Sequence, residues 1–140
     1  MQKQVGDCSV LSALAVAAHF ELKSNYTKRI ITKNIFPQDN NGNPIYNPTG
    51  EYIVKMFVNG TWRSVYIDDY LPMNNNGDWL CAYSSRGKLW VSLLEKAYLK
   101  LNGGYDFMGS NSSRDLYVMT GWLPQKYRIK KENFDRNKIW

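Results

Sequence analysis

The spacing of apolar positions changes character along the chain, and each change marks an element. From Cys8 to Phe20 only Ser9, Ser12 and His19 are polar. That run predicts a helix from Cys8 to about Leu22 with Asp7 as its N-cap, apolar nearly all round and therefore interior. Ser24 or Asn25 is placed to cap a second short helix over Tyr26 to Lys33. Pro37 to Pro48 contains Asn40-Asn41-Gly42-Asn43-Pro44 and reads as a loop of turns. Beyond it the period falls to two. Tyr52, Val54, Met56 and Val58 share one strand face, and Trp62, Ser64 and Tyr66 share a face on the next strand. Asn59-Gly60 lies between them, a hairpin signal because both turn positions need positive φ. Asn74 to Asp78 is a second turn, and Leu80 to Tyr83 reads as a third strand. From Lys88 to Asn102 a helical stripe returns through Trp90, Leu94, Ala97 and Leu101, with Gly103 as the C′ residue. After Asp106 the pattern weakens to a short helix near Ser113 to Val118. The sum is an α+β domain: a buried helix, flanking helices and a small antiparallel sheet.

The chemistry concentrates at the first helix. Gln2 and Cys8 stand six residues apart, and Cys8 falls in the first helical turn. A free thiol has a pKa of about 8.5, so little thiolate exists at neutral pH. A helix N-terminus favours the thiolate through its partial positive charge and unpaired N–H groups. An upstream carboxamide is suited to donate to the oxyanion formed when a thiolate attacks a peptide carbonyl. Such a pairing suits the nucleophile side of a thiol protease. A cysteine on an apolar helix is more ordinarily inert packing, and the later segments decide between the two readings. The single histidine, His19, is eleven residues after Cys8, about 16 Å of helical rise, so it cannot be the base for that cysteine within one helix.

Those later segments resemble calpains. Val65-Tyr66-Ile67-Asp68-Asp69-Tyr70-Leu71-Pro72 resembles their Asp-Asp-x-Leu-Pro segment. The stretch from Leu89-Trp90 through Leu93-Leu94-Glu95-Lys96-Ala97-Tyr98 to Asn102-Gly103 resembles their Leu-Leu-Glu-Lys-Ala-Tyr helix, and Thr120-Gly121 their Thr-Gly. Ser9 stands where most calpains carry Trp. With the Pro37 to Pro48 insert and the Gly104 to Asn111 segment, it makes the chain more similar to the atypical PalB-type calpains. The resemblance implies a papain-like calpain core lobe over residues 1–125, followed by a basic segment, 126–140, leading to a second lobe. It implies Cys8 as nucleophile and Gln2 in the oxyanion hole, with the histidine and asparagine supplied by that second lobe as a partner. Protein or peptide substrates would pair with the backbone at Gly109 or Ser110. By itself the chain is then expected to be inactive. Calpain core lobes bind calcium through a Glu just before the Leu-Trp pair. Here that position is Lys88, and a cation does not replace a carboxylate on calcium, so no metal and no cofactor are expected. Asp68-Asp69 is read as structural, bonding to a turn.

Composition narrows the alternatives. A hydrophobic fraction of 44% supports a folded core, and 140 residues suit one domain. No run of eighteen apolar residues offers a transmembrane segment, and no leader is apparent, although Met1 opens abruptly before Gln2. Cys8 and Cys81 are the only cysteines, which suggests a reducing, cytoplasmic setting; Cys81 is read as core packing. The net charge of +6, with basic residues clustered between Lys126 and Lys138, raises a nucleic-acid or lipid-surface module as a rival. No nucleic-acid fingerprint accompanies it, and a solvated surface is the preferred reading. The other rival is a calpain-like scaffold that binds partners without cutting.

Overall fold

Asn59 and Gly60 take φ of +52° and +78°, the backbone of a tight two-residue hairpin turn. The turn sets the register of the two long strands, β2 (Glu51–Val58) and β3 (Thr61–Asp68), pairing Tyr52 with Ile67 and Val54 with Val65. These coordinates are a computed structural model, which describes residues 5–25, 29–85 and 87–125. A short strand, β1 (Ile35–Phe36), adds to the other edge of β2, so the sheet has the order β1-β2-β3, all antiparallel. Three α-helices accompany it: α1 (Cys8–Lys23), α2 (Trp90–Leu101) and α3 (Ser112–Thr120). The α+β reading therefore holds.

One sheet face builds the core. Tyr52, Val54, Met56, Val65 and Ile67 are buried and meet Val10 and Leu14 of α1, Leu94 and Tyr98 of α2 and Met119 of α3. Trp62, Ser64 and Tyr66 do share a face, and it is the outer one. The α2 stripe is broader than its apolar pattern suggests. Ser92 and Glu95 are buried with it, while Leu101 is exposed. Gly103 takes φ +98°, and Gly104 N–H returns to Leu99 O at 2.8 Å, as a C′ glycine should.

Four expectations need correction. The interior helix is buried on one side only: Val10, Ala13, Leu14, Ala17 and Glu21 face inward, while Val16, His19 and Phe20 are exposed. The periodicity of small apolar residues does not say which face a neighbour covers. Of the second helix, residues 26–28 lie outside the described residues, and the rest forms only a 3₁₀ turn, Thr32–Asn34. The cause is Glu21, whose Oε1 accepts from the N–H groups of Ile30 (2.7 Å), Ile31 (2.7 Å) and Thr32 (3.1 Å) while Oε2 accepts from Thr32 Oγ1 (2.9 Å). Donors held by a side chain are lost to an α-helix. The third strand is β1, not Leu80 to Tyr83, where Leu80 N–H bonds to Pro72 O at 2.9 Å and Ala82 is held by α2 side chains as described below. The Asp7 cap is corrected below as well. Asp68, as expected, is structural: Oδ1 takes Lys96 Nζ at 2.5 Å and Tyr70 N–H at 2.9 Å. The lysine contact holds its carboxyl below the usual range.

Candidate active site

Cys8 is the first residue of α1 and is exposed. The helix starts there because Leu11 N–H bonds to Asp7 O at 3.0 Å. Asp7 occupies the N-cap position, yet its side chain makes no cap bond. It turns inward and is fully buried, so the first-turn N–H groups are not consumed by a cap. At Cys8 this keeps the partial positive charge of the helix end unneutralised.

Cys8 opens onto a cavity of about 530 Å³. One wall is α1, with Leu11, Ser12 and Ala15; the other is formed by Tyr83, Ser84 and Ser85 with Trp90. The second wall is irregular chain, and buried irregular backbone needs partners. Glu95 and Ser92, one turn apart on α2, supply them. Ala82 N–H donates to the two Glu95 carboxyl oxygens at 3.0 and 2.8 Å, and Ser92 Oγ donates to Ala82 O at 2.7 Å. The sequence reading overlooked this clamp. The signal was there, in two polar residues at i and i+3 on an otherwise apolar helix face.

A second segment reaches the same helix end. A Cβ on Gly6 would stand 2.9 Å from Phe107 O, and one on Gly109 would stand 3.5 Å from Gly6 O. Gly109 also takes φ +106°, where L side chains are strained. Ser9 Oγ and Ser110 Oγ are 2.7 Å apart. Ser12 Oγ donates to Ser9 O at 2.8 Å and lies 3.2 Å from Ser112 Oγ. Asn111 caps α3 through Ser113 N–H at 3.0 Å. Cys8, Gly109 and Ser110 are thus brought to one place. Gln2 lies outside the described residues, as does the basic segment 126–140. His19 sits exposed near the far end of α1.

Cys81 is fully buried, and burial, then the nearby Glu95, pushes its thiol up. Glu95 itself is pushed up to about 8, first by burial and then by the Asp7 carboxyl that meets it. Lys88 is exposed, and among the described residues no group of three His, Cys, Asp or Glu side chains could hold a metal ion. No described helix is long and apolar enough to cross a membrane.

An α+β lobe presenting a cysteine at the head of a helix, over an open cleft, has the build of a thiol hydrolase. The sequence model of the calpain family cysteine proteases matches residues 1–140, and the chain belongs to that family. It is 48% identical over 133 residues to calpain-7 of Mus musculus, covering 94% of this chain and 16% of that protein. It is 37% identical over 137 residues to the calpain-like protease palB/cpr-8 of Neurospora crassa, covering 96% of this chain and 14% of that one. It is 33% identical over 147 residues to palB of Emericella nidulans, covering 100% and 17%. The chain thus spans about a sixth of the length of these relatives.

Proposed function

We propose that this chain is the nucleophile-bearing part of a cysteine endopeptidase acting on protein substrates. The observation that carries this is Cys8: exposed, first in its helix, at the mouth of a cleft. In the reaction, the Cys8 thiolate attacks the scissile carbonyl carbon and a C–S bond forms. The Cys8 N–H and the Gln2 carboxamide donate to the oxyanion. Collapse breaks the C–N bond, and the leaving amine takes a proton from an imidazolium. Water then hydrolyses the thioester, releasing the acid and restoring the thiol. Substrate backbone lies along Gly109 and Ser110 as an added strand.

The imidazole must come from a second lobe. The sequence holds one histidine, His19, on the same helix as Cys8 and three turns away. The 140-residue chain is therefore inactive alone. Two free cysteines, one of them exposed, suit a reducing compartment, and we place the protein in the cytoplasm.

Two assays test this reading. A peptidyl electrophile should label Cys8 in the wild-type chain and leave Cys8→Ala unlabelled; no difference between them would remove the nucleophile and favour a non-catalytic scaffold. Turnover of a fluorogenic peptide by the isolated chain should be absent, and Cys8-dependent turnover would overturn the missing-base argument.

A further inference from the structure

The residue before the proposed nucleophile points away from the cleft into the core. Asp7 is fully buried, and neither of its carboxyl oxygens has a hydrogen-bond donor among the described residues. The group its side chain does meet is the carboxyl of Glu95, itself only 1% exposed. Two ionised carboxylates in contact and out of water repel each other, and Asp7 lacks a donor to offset its desolvation. One proton changes this. A neutral Glu95 carboxyl donates to Asp7, and its second oxygen remains free to accept from Ala82 N–H. The donor that Asp7 otherwise lacks is then that proton.

We propose that Asp7 and Glu95 share one proton, and that the resulting hydrogen bond is a positioning device tying the turn that carries Cys8 to the opposite wall of the cleft. The connection is continuous. Cys8 follows Asp7 in the chain, Asp7 meets Glu95, Glu95 accepts from Ala82 N–H, and Tyr83, Ser84 and Ser85 follow as the wall. While the proton is present the cleft has fixed width at its nucleophile end. When the proton leaves for solvent, two charges face each other and the tie is broken. The burial and pairing that hold Glu95 near 8 put this event within an accessible pH range.

The neighbouring titratable groups do not supply the effect. Cys81 is pushed up by burial and by Glu95, and Tyr105 by burial, then Cys81 and Glu95, so both stay neutral through the Glu95 transition. Lys96 is bonded to Asp68 and Tyr70 O.

The positioning role rests on Cys8 being the nucleophile, whereas the shared proton does not, so the test reads them separately. Thermal midpoints and Cys8 alkylation rates by iodoacetamide, each rate divided by that of free cysteine, are measured from about pH 5 to about pH 9 for wild type, Glu95→Gln and Asp7→Asn. Glutamine copies the shape and donor of the protonated acid. Wild type should lose midpoint on the order of 5 °C as pH rises toward 8, and Glu95→Gln should not. The normalised alkylation rate should fall several-fold above pH 8 in wild type and hold steady in Glu95→Gln. Asp7→Asn, which offers Glu95 an amide donor, should also flatten the midpoint profile, and it decides the matter if Glu95→Gln does not fold. Midpoint profiles left unchanged by the variants would overturn the shared proton. Flattened midpoints with an unaltered alkylation profile would overturn the positioning role. A Cys8 that reacts no faster than free cysteine at any pH would count against the protease reading, while the midpoints still decide the proton.

Discussion

Replacing Glu21 by alanine should be among the most damaging single changes outside the apolar core. Four donors converge on its carboxylate: the N–H groups of Ile30, Ile31 and Thr32 and the Thr32 hydroxyl. Alanine removes every acceptor at once. Ile31 is fully buried and Ile30 is 8% exposed, so water cannot readily replace the carboxylate at those two N–H groups; Thr32 is only half-buried and can recover a partner. Two orphaned buried donors at about 2 kcal/mol each give a loss of about 4 kcal/mol. For a chain of this size that is a fall in midpoint of roughly 12 °C. Glu21→Gln keeps one oxygen toward the three N–H groups and turns its amide toward Thr32 Oγ1. It loses only charge assistance, about 1 kcal/mol. Urea unfolding by linear extrapolation with an unchanged slope measures both. A Glu21→Ala midpoint within about 1 kcal/mol of wild type would refute the reasoning, because it would mean that water satisfies Ile30 and Ile31 freely.

Three other outcomes follow from local geometry. Gly6→Ala sets a Cβ 2.9 Å from Phe107 O, backbone against backbone, and should cost about 2 kcal/mol while raising hydrogen exchange across residues 107–111; a neutral variant with unchanged exchange would rule out the contact. Tyr98 donates its hydroxyl to Asp115 Oδ1 at 2.6 Å, both residues being buried, so Tyr98→Phe should destabilise by about 2 kcal/mol in urea unfolding. Burial and Asp115 push the phenol up to about 12, so this loss should not vary between neutral and mildly alkaline pH. Ser9→Ala and Ser110→Ala should couple by about 0.5 kcal/mol in a double-mutant cycle of unfolding free energies, reflecting one exposed hydroxyl pair; strict additivity would remove that link between loop and helix.

The parts of the fold visible in the amino-acid order were those that carry their own period or turn chemistry. Asn59-Gly60 dictated a hairpin and its register, and the helical repeat around Leu94 and Ala97 dictated α2. The start of α1 at Cys8 was visible because polar Asp7 precedes a long apolar run. Segments whose hydrogen bonds come from elsewhere in the chain were not visible. Leu80 to Tyr83 is apolar and partly buried like a strand, but Leu80 N–H bonds to Pro72 O and Ala82 is held by two α2 side chains some ten residues away. Two-residue β1 is too short to leave a period. Asp7 has the identity of a cap, and nothing in the local sequence marks that its side chain turns inward toward Glu95. The site was read in the same way: Cys8 and the Gly109-Ser110 loop meet at one helix end, whereas Ser92 and Glu95, which hold the facing wall, were read only as helix residues.

The cleft wall Tyr83 to Ser85 and the stretch Phe107 to Ser110 beside the start of α1 belong to no helix or strand. An apolar core does not fix such segments, since hydrophobic burial is non-directional. Directional bonds from α1 and α2 do so instead, and those bonds involve groups that titrate. Glu95 is the strongest case. Burial, then the Asp7 carboxyl, push its carboxyl up to about 8 in the folded chain, whereas an unfolded glutamate ionises near 4.3. The unfolded state therefore binds fewer protons between those values. Its contribution to stability is complete below the lower value and is lost as pH rises through the upper one. That loss bears on the contact between the turn that carries Cys8 and the cleft wall. The cleft can thus lose its shape at a pH where the core, built from Val54, Met56, Leu94 and their neighbours, remains folded.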